Sequence, residues 1–169
     1  MDSIPANLTA IRERIAGAAA AAGRHPDDVR LLAVSKTFGA DYVRAAYAAG
    51  QRDFGENKVQ EALQKIGETA DLQIRWHLIG HLQSNKARKA AQTVGSIHAI
   101  DSVELLKKVD QAASEAGRTV DVLIQVDLAL EETKFGAPVN EVDGATPVIE
   151  VPCPEATAVT QTTQSVAAK

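Results

Sequence analysis

The chain has 169 residues, a formal net charge of −4, 45% hydrophobic residues and 24% charged residues. That is enough length for one domain with a real core, in the composition range of ordinary soluble globular proteins. The mildly acidic balance gives no reason to expect nucleic acid as a partner, and the single cysteine, Cys153, excludes an internal disulfide and fits a reducing compartment.

In chain order, Asn7 reads as a helix N-cap, followed at helical spacing by Leu8, Ile11, Ile15 and Ala18. Gly23 reads as a left-handed C-cap, and Pro26 bars continuation. The small-residue run from Ala16 to Ala22, interrupted by Gly17, is too short and too weakly apolar for export or membrane spanning. A cytoplasmic protein without a membrane partner is expected.

A periodic pattern follows. Runs of strand-forming residues start near Arg30, Arg52, Ile74, Ile97 and Val120, at spacings of 22, 22, 23 and 23. Helical stripes lie between them. Val43, Ala46 and Tyr47 precede a stop at Gly50; Val59, Ala62, Leu63 and Ile66 precede Gly67; Ala87, Ala90, Ala91 and Val94 precede Gly95. Asp101 with Glu104 resembles a capping box for the next helix, whose face is Val103, Leu106, Val109 and Ala113, closed by Gly117.

Strands alternating with helices imply βαβ units and a parallel sheet. Leu31–Val34 and Val120–Val126 are nearly continuous apolar runs, the pattern expected of strands covered on both faces. Two α/β architectures satisfy this: a (β/α)8 barrel of the TIM type, or an open doubly wound sheet of five strands. The glycine fingerprint of dinucleotide-binding sheets does not follow the first strand, where Ser35-Lys36-Thr37-Phe38-Gly39 stands instead. Eight units at this period would need roughly 215 residues after the leading helix, near the usual barrel size, but only about five are legible.

The pattern breaks near Gly136. Residues 1–136 hold 17 Lys and Arg and 18 acids, whereas residues 137–169 hold one Lys, four acids and four of the six prolines. The expectation is an α/β barrel part over 1–136 and an atypical tail over 137–169. Thr146–Val151 could form a sixth strand, at an edge because of Pro147, and the Thr/Gln/Ala-rich sequence from Pro152 is expected to be disordered.

Four segments carry the candidate chemistry. Lys36 ends the first strand, and ligands in parallel α/β folds gather at the carboxyl ends of strands. A lysine amine beside apolar walls loses hydration, and its neutral form can attack an aldehyde to give a Schiff base; the plainer reading is a solvated lysine leaving a strand. In Phe54-Gly55-Glu56-Asn57, Asn57 could donate to a ligand oxygen or cap the next helix, and spacing alone favours the cap. His77 and His81 straddle the end of the third strand and would not share a face, so no metal site is expected. Ser84 or Asn85 reads as an N-cap at a helix start that could receive an anion. Lys134-Phe135-Gly136 follows the fifth strand, with a second lysine that could serve as a transfer or phosphate-facing amine, although such a lysine is more often just solvated. No Ser-His-Asp order, paired-carboxylate motif or Walker loop stands out, so no catalytic residue is assigned.

Leu-Leu-Ala-Val-Ser-Lys36-Thr, Gly-Gln-Arg-Asp-Phe-Gly-Glu-Asn57-Lys-Val-Gln-Glu, Trp-His-Leu-Ile-Gly-His-Leu-Gln-Ser-Asn-Lys and Leu-Glu-Glu-Thr-Lys134-Phe-Gly, in this order, resemble the motifs of the pyridoxal 5'-phosphate (PLP) homeostasis protein family. The resemblance covers about residues 8–136. It implies a single-domain PLP-binding barrel similar to the N-terminal domain of alanine racemase. It also implies that Lys36 is the Schiff-base lysine, that Asn57 lies near the cofactor and that Lys134 lies on the cofactor side.

Members of the family have no established catalytic turnover. They act as carriers that hold PLP, with PLP-dependent apo-enzymes as conceivable recipients. The family's Ser-Met-Gly-Met-Ser-type and Arg-x-Gly segments, which supply most phosphate contacts and an arginine facing the pyridine nitrogen, do not occur in this sequence. A truncated or frame-shifted product is the expectation for that departure, with weak cofactor attachment as its consequence. The alternatives are a PLP-dependent amino-acid racemase, which would need a second base with only Tyr42 and Tyr47 available as tyrosines, or a fragment without function.

Overall fold

The chain opens on helix α1, Ser3–Ala21, in a computed structural model that describes residues 3–128, 135–138 and 142. The helix starts four residues before the expected cap, so Asn7 lies inside it. Pro5 falls in the first turn, where its missing N–H costs no helical bond. Its end is as expected: Gly23 takes φ 67°, its N–H donates to Ala20 O at 3.0 Å, and the Arg24 N–H donates to Ala19 O at 2.9 Å. These two reversed bonds satisfy carbonyls that the last helical turn leaves open. Pro26 then begins a 3-10 turn, Pro26–Asp28, capped by the His25 ring.

Two units divide the chain between His77 and Leu78. The first contains β1 (Ala33–Val34), α2 (Ala40–Ala48), β2 (Asp53–Glu56), α3 (Val59–Glu68) and most of β3 (Arg75–Leu78). β1 and β2 are parallel, with Ala33 opposite Phe54 and Val34 opposite Gly55. β3 is tied to the entry of β2 by the Arg75 N–H on Arg52 O at 2.9 Å. Val43, Ala46, Val59, Ala62, Phe54 and Trp76 form the core here, with the Phe54 and Trp76 rings 5.8 Å apart. Buried Gln51 locks the strand entries together, its amide donating to Leu31 O at 2.6 Å and to Asp53 O at 2.8 Å. Gly50 ends α2 with the same reversed bonds as Gly23. Gly67 does not stop α3, which runs through it and closes at Thr69, whose hydroxyl donates to Lys65 O at 2.6 Å.

The second unit contains a 3-10 turn at Ser84–Lys86, α4 (Ala87–Ala91), β4 (Ser96–Ile100), α5 (Val103–Glu115) and β5 (Asp121–Ile124), then the short pair β6 (Val126–Asp127) and β7 (Ala137–Pro138). β4 pairs β5 in parallel, Ser96 opposite Asp121 and Ile97 opposite Val122, with an irregularity before Ile100 meets Ile124. Ala87, Ala90, Ala91 and Val94 are all buried, as their spacing predicts, although α4 ends at Ala91, short of Gly95. Neither Ser84 nor Asn85 acts as a cap, because the 3-10 turn absorbs both. The cap of α5 is Ser102 rather than Asp101: its hydroxyl accepts the Leu105 N–H at 3.3 Å. The buried stripe is correspondingly Leu105, Val109, Ala112 and Ala113, leaving Val103 and Leu106 half-buried.

The strand burial reverses one expectation. The most apolar strands are not the covered ones: Val34 of β1 is 47% exposed and Ile124 of β5 39%, whereas all four residues of β2 are buried. Burial follows neighbours rather than composition. Among the described residues β1 pairs only with β2, and β5 only with β4. The sixth strand expected at Thr146–Val151 and the tail from Pro152 lie outside the described residues. No described helix is long and apolar enough to cross a membrane.

Candidate functional site

The register of β1 and β2 brings two of the three predicted site residues to one end of the first unit. Lys36 and Asn57 each lie two residues beyond the last paired couple, Val34 and Gly55. Lys36 is exposed and makes no hydrogen bond or ion pair with another described residue. The apolar walls expected around it are therefore not found among the described residues; the amine stands open at the strand end. Asn57 is half-buried and is not a cap, because Lys58 holds the N-cap position of α3 without any side-chain capping bond. The Asn57 amide has no hydrogen bond to a described residue. Lys134 lies outside the described residues.

The backbone around Lys36 is tightly defined. The Phe38 N–H donates to Ser35 O at 3.1 Å, closing a turn that holds Lys36 at its second position. Thr37, at the third, has φ 69°, the only non-glycine with positive φ among the described residues. That region disfavours β-branched side chains, so the turn stores strain.

Directly beneath lies a charged cluster that sequence reasoning missed. Glu56 is wholly buried; its Oε1 accepts the Ser35 hydroxyl at 2.7 Å and the Lys65 ammonium at 2.5 Å. Lys65 Nζ also donates to Ser35 O at 2.7 Å. Glu56 Oε2 is buried without a hydrogen-bond partner among the described residues. A signal existed in the sequence. Lys65 follows Ala62 by three residues on the apolar face of its helix, where a charge requires an opposite charge in the core.

The other end of these strands carries a different constellation. Asp53 starts β2, and Arg75 grips both its oxygens, each at 2.6 Å, while His77 Nε2 lies 3.2 Å away. The Arg75 guanidinium, helped by His77, holds the Asp53 carboxyl below the usual aspartate range against the opposing effect of burial. Every charge here is matched, which marks a structural cluster.

In the second unit His81 Nδ1 sits 3.4 Å from Asp101, and the His81 ring stacks on Phe135 with centroids 3.7 Å apart. The Phe135-Gly136 part of the fourth motif thus meets the third. Gly136 is needed for close approach: its φ is 154°, and a Cβ there would lie 2.6 Å from Asp127 N. No group of three potential metal-ligating side chains occurs among the described residues.

Comparison with known proteins gives a consistent likeness. The family described as alanine racemase, N-terminal domain, matches residues 6–158. A pyridoxal phosphate homeostasis protein of Pseudomonas aeruginosa is 44% identical over 136 residues, 80% of this chain and 59% of that protein. The protein of the same name from Escherichia coli K12 is 39% identical over 156 residues, 90% of this chain and 67% of that one. The chain thus spans only 59% to 67% of the length of these two relatives. Among solved structures, PipY of Synechococcus elongatus with PLP bound superposes with TM-score 0.63 at 46% identity, covering 75% of this chain and 57% of that one.

Proposed function

Since the chain belongs to the alanine racemase N-terminal domain family, on its pyridoxal phosphate homeostasis protein branch, we propose that it binds PLP through Lys36 and serves PLP homeostasis without catalysing turnover. The observation that carries this reading is the exposed Lys36 amine at the carboxyl end of β1, held on a defined turn beside Asn57, both without a side-chain hydrogen bond to any described residue. This donor set fits the aldehyde end of PLP: a primary amine for the carbonyl carbon and a neutral amide for a ring oxygen. When bound, PLP supplies an aldehyde that condenses with a primary amine. Lys36 would hold that aldehyde through its Nζ, whose neutral form is the nucleophile such a condensation requires, with water as the group released. Asn57 is proposed to lie near the ring, and Lys134 on the cofactor side.

The reading without turnover draws on what the two tyrosines of this sequence are engaged in. A racemase needs a second base opposite the lysine. The chain has two tyrosines, and both are on α2. Tyr42 lies against Phe38 at 5.1 Å, while Tyr47 carries Arg52 over its ring at 3.9 Å and accepts the Gln73 N–H at 3.3 Å. PLP-dependent apo-enzymes are the proposed recipients and the cytoplasm the proposed compartment.

The test is PLP titration with borohydride trapping and peptide mapping, comparing the chain with Lys36→Ala. Labelling concentrated on the Lys36 peptide and lost in the variant is expected. Equal labelling of the two proteins overturns the assignment.

A further inference from the structure

We infer that Glu56 and Lys65 form a buried positioning pair whose task is to hold the strained turn that presents Lys36. The inference rests on the reading of Lys36 as the PLP lysine and deepens it by naming what fixes that lysine's backbone.

The argument starts from Ser35, the residue before Lys36. Each of its polar groups is engaged. Its N–H donates to Gly55 O at 3.0 Å, and its hydroxyl donates to Glu56 Oε1 at 2.7 Å. Its carbonyl accepts both the Phe38 N–H at 3.1 Å and the Lys65 ammonium at 2.7 Å. That carbonyl belongs to the peptide bond that begins Lys36, so the Lys65 charge acts one bond from the lysine backbone. The Phe38 bond closes the turn, and the turn forces Thr37 to φ 69°. Turns with positive φ at their third residue take Gly or Asn there, because a branched side chain resists it. An ammonium on the closing carbonyl offsets that resistance.

The cost of the arrangement supports a specific role. Lys65 is 7% exposed and Glu56 fully buried, and withdrawing both charges from water is expensive. A leucine–methionine pair would fill the same space without that cost, but it would leave the Ser35 carbonyl with the Phe38 bond alone. Among the described residues Glu56 Oε2 is buried without a hydrogen-bond partner, so Oε1 alone takes up both Ser35 and Lys65. One oxygen serves Ser35 and Lys65, and the other serves nothing described. The pair lies under the turn, away from solvent, and does not need to touch the cofactor.

The test uses the full chain and three variants: Lys65→Met, the double variant Glu56→Gln/Lys65→Met, and that double variant with Thr37→Gly added. Thermal melts and the rate of borohydride-trapped PLP labelling at Lys36 are measured for each. Lys65→Met leaves an unpaired buried carboxylate and should melt early. The double variant removes that charge, so its melt should return toward the parent while its Lys36 labelling remains slowed on the order of tenfold, as a displaced reacting group would be. Thr37→Gly relieves the turn at its strained residue and should restore labelling.

Parent-like labelling in the folded double variant overturns the inference, as does slowed labelling that Thr37→Gly leaves unrescued. If the variants do not fold, amide exchange in the parent decides: the Phe38 N–H must be protected as strongly as the strand amides, and rapid exchange there overturns the clamp. Failure of the parent itself to label at Lys36 would instead remove the underlying PLP assignment, which keeps the two failures distinct.

Discussion

The two ends of the strands in the first unit treat charge in opposite ways. At the amino end, Asp53 is gripped by Arg75 on both oxygens and approached by His77, so the Arg75 cation and the Asp53 anion are matched. At the carboxyl end, Lys36 has no partner among the described residues, and the nearby charges, Glu56 and Lys65, are spent on each other and on Ser35. A matched cluster lowers the energy of one arrangement and resists change. An unmatched amine on a defined turn is available for a reaction. The difference separates two sets of titratable residues that look alike in the sequence.

The largest effect expected from disturbing this contrast is at the buried pair. Lys65→Met strands the Glu56 carboxylate in the core and should cost about 3–5 kcal/mol. Urea denaturation checks it, and a loss below about 1 kcal/mol would mean that water reaches Glu56.

At the amino end, Asp53→Asn should cost about 1–2 kcal/mol at neutral pH, discounted because Arg75 is largely exposed. The sign of the pH dependence follows from the lowered Asp53 value. The unfolded chain takes up this proton at higher pH than the native one. The stabilisation is therefore full above the ordinary aspartate range of about 4 and is lost as pH falls from there through the depressed native value. Denaturation midpoints followed through the acid range should show a shallower loss in Asp53→Asn than in the parent. Identical slopes would remove Asp53 from the account.

Thr37→Gly alone should raise stability by up to about 1 kcal/mol, the left-handed penalty less the entropy of glycine. A clear drop in melting temperature would show that the Thr37 side chain contributes more than its strain costs.

The smallest effect on stability is expected at Lys36→Ala, within about 0.5 kcal/mol, because the residue is exposed and has no partner among the described residues. The same change should abolish PLP labelling. A large destabilisation there would erase the contrast between the two ends.

Much of the fold is legible from local signals. The starts of β2, β3, β4 and β5 fall within one residue of their expected positions, because a period of strand and helix survives any detail of packing. Gly23, Gly50 and Gly117 all have positive φ just past a helix, as their position after an apolar stripe implies. Caps were less legible. Ser102 displaces Asp101, and α1 begins before Asn7, because several residues in a row can accept the same N–H groups and packing selects among them. The reading of β1 and β5 as doubly covered failed for a related reason: apolar composition states what a strand tolerates, not which neighbours it has.

The choice between a barrel and an open sheet was settled by the likeness to the alanine racemase N-terminal domain and not by the repeat, since both architectures use the same unit. At the site, the position of Lys36 after an apolar strand and the three motifs that accompany its own were present in the order of residues alone. They determined which lysine to examine, because parallel α/β order sends strand ends to one face. Only the tertiary structure decided that Lys36 is open, that Asn57 is no cap, and that Glu56 and Lys65 meet under Ser35. Residues nine apart in the chain become an ion pair only when a helix lays its inward face on a strand, and no local pattern encodes that distance.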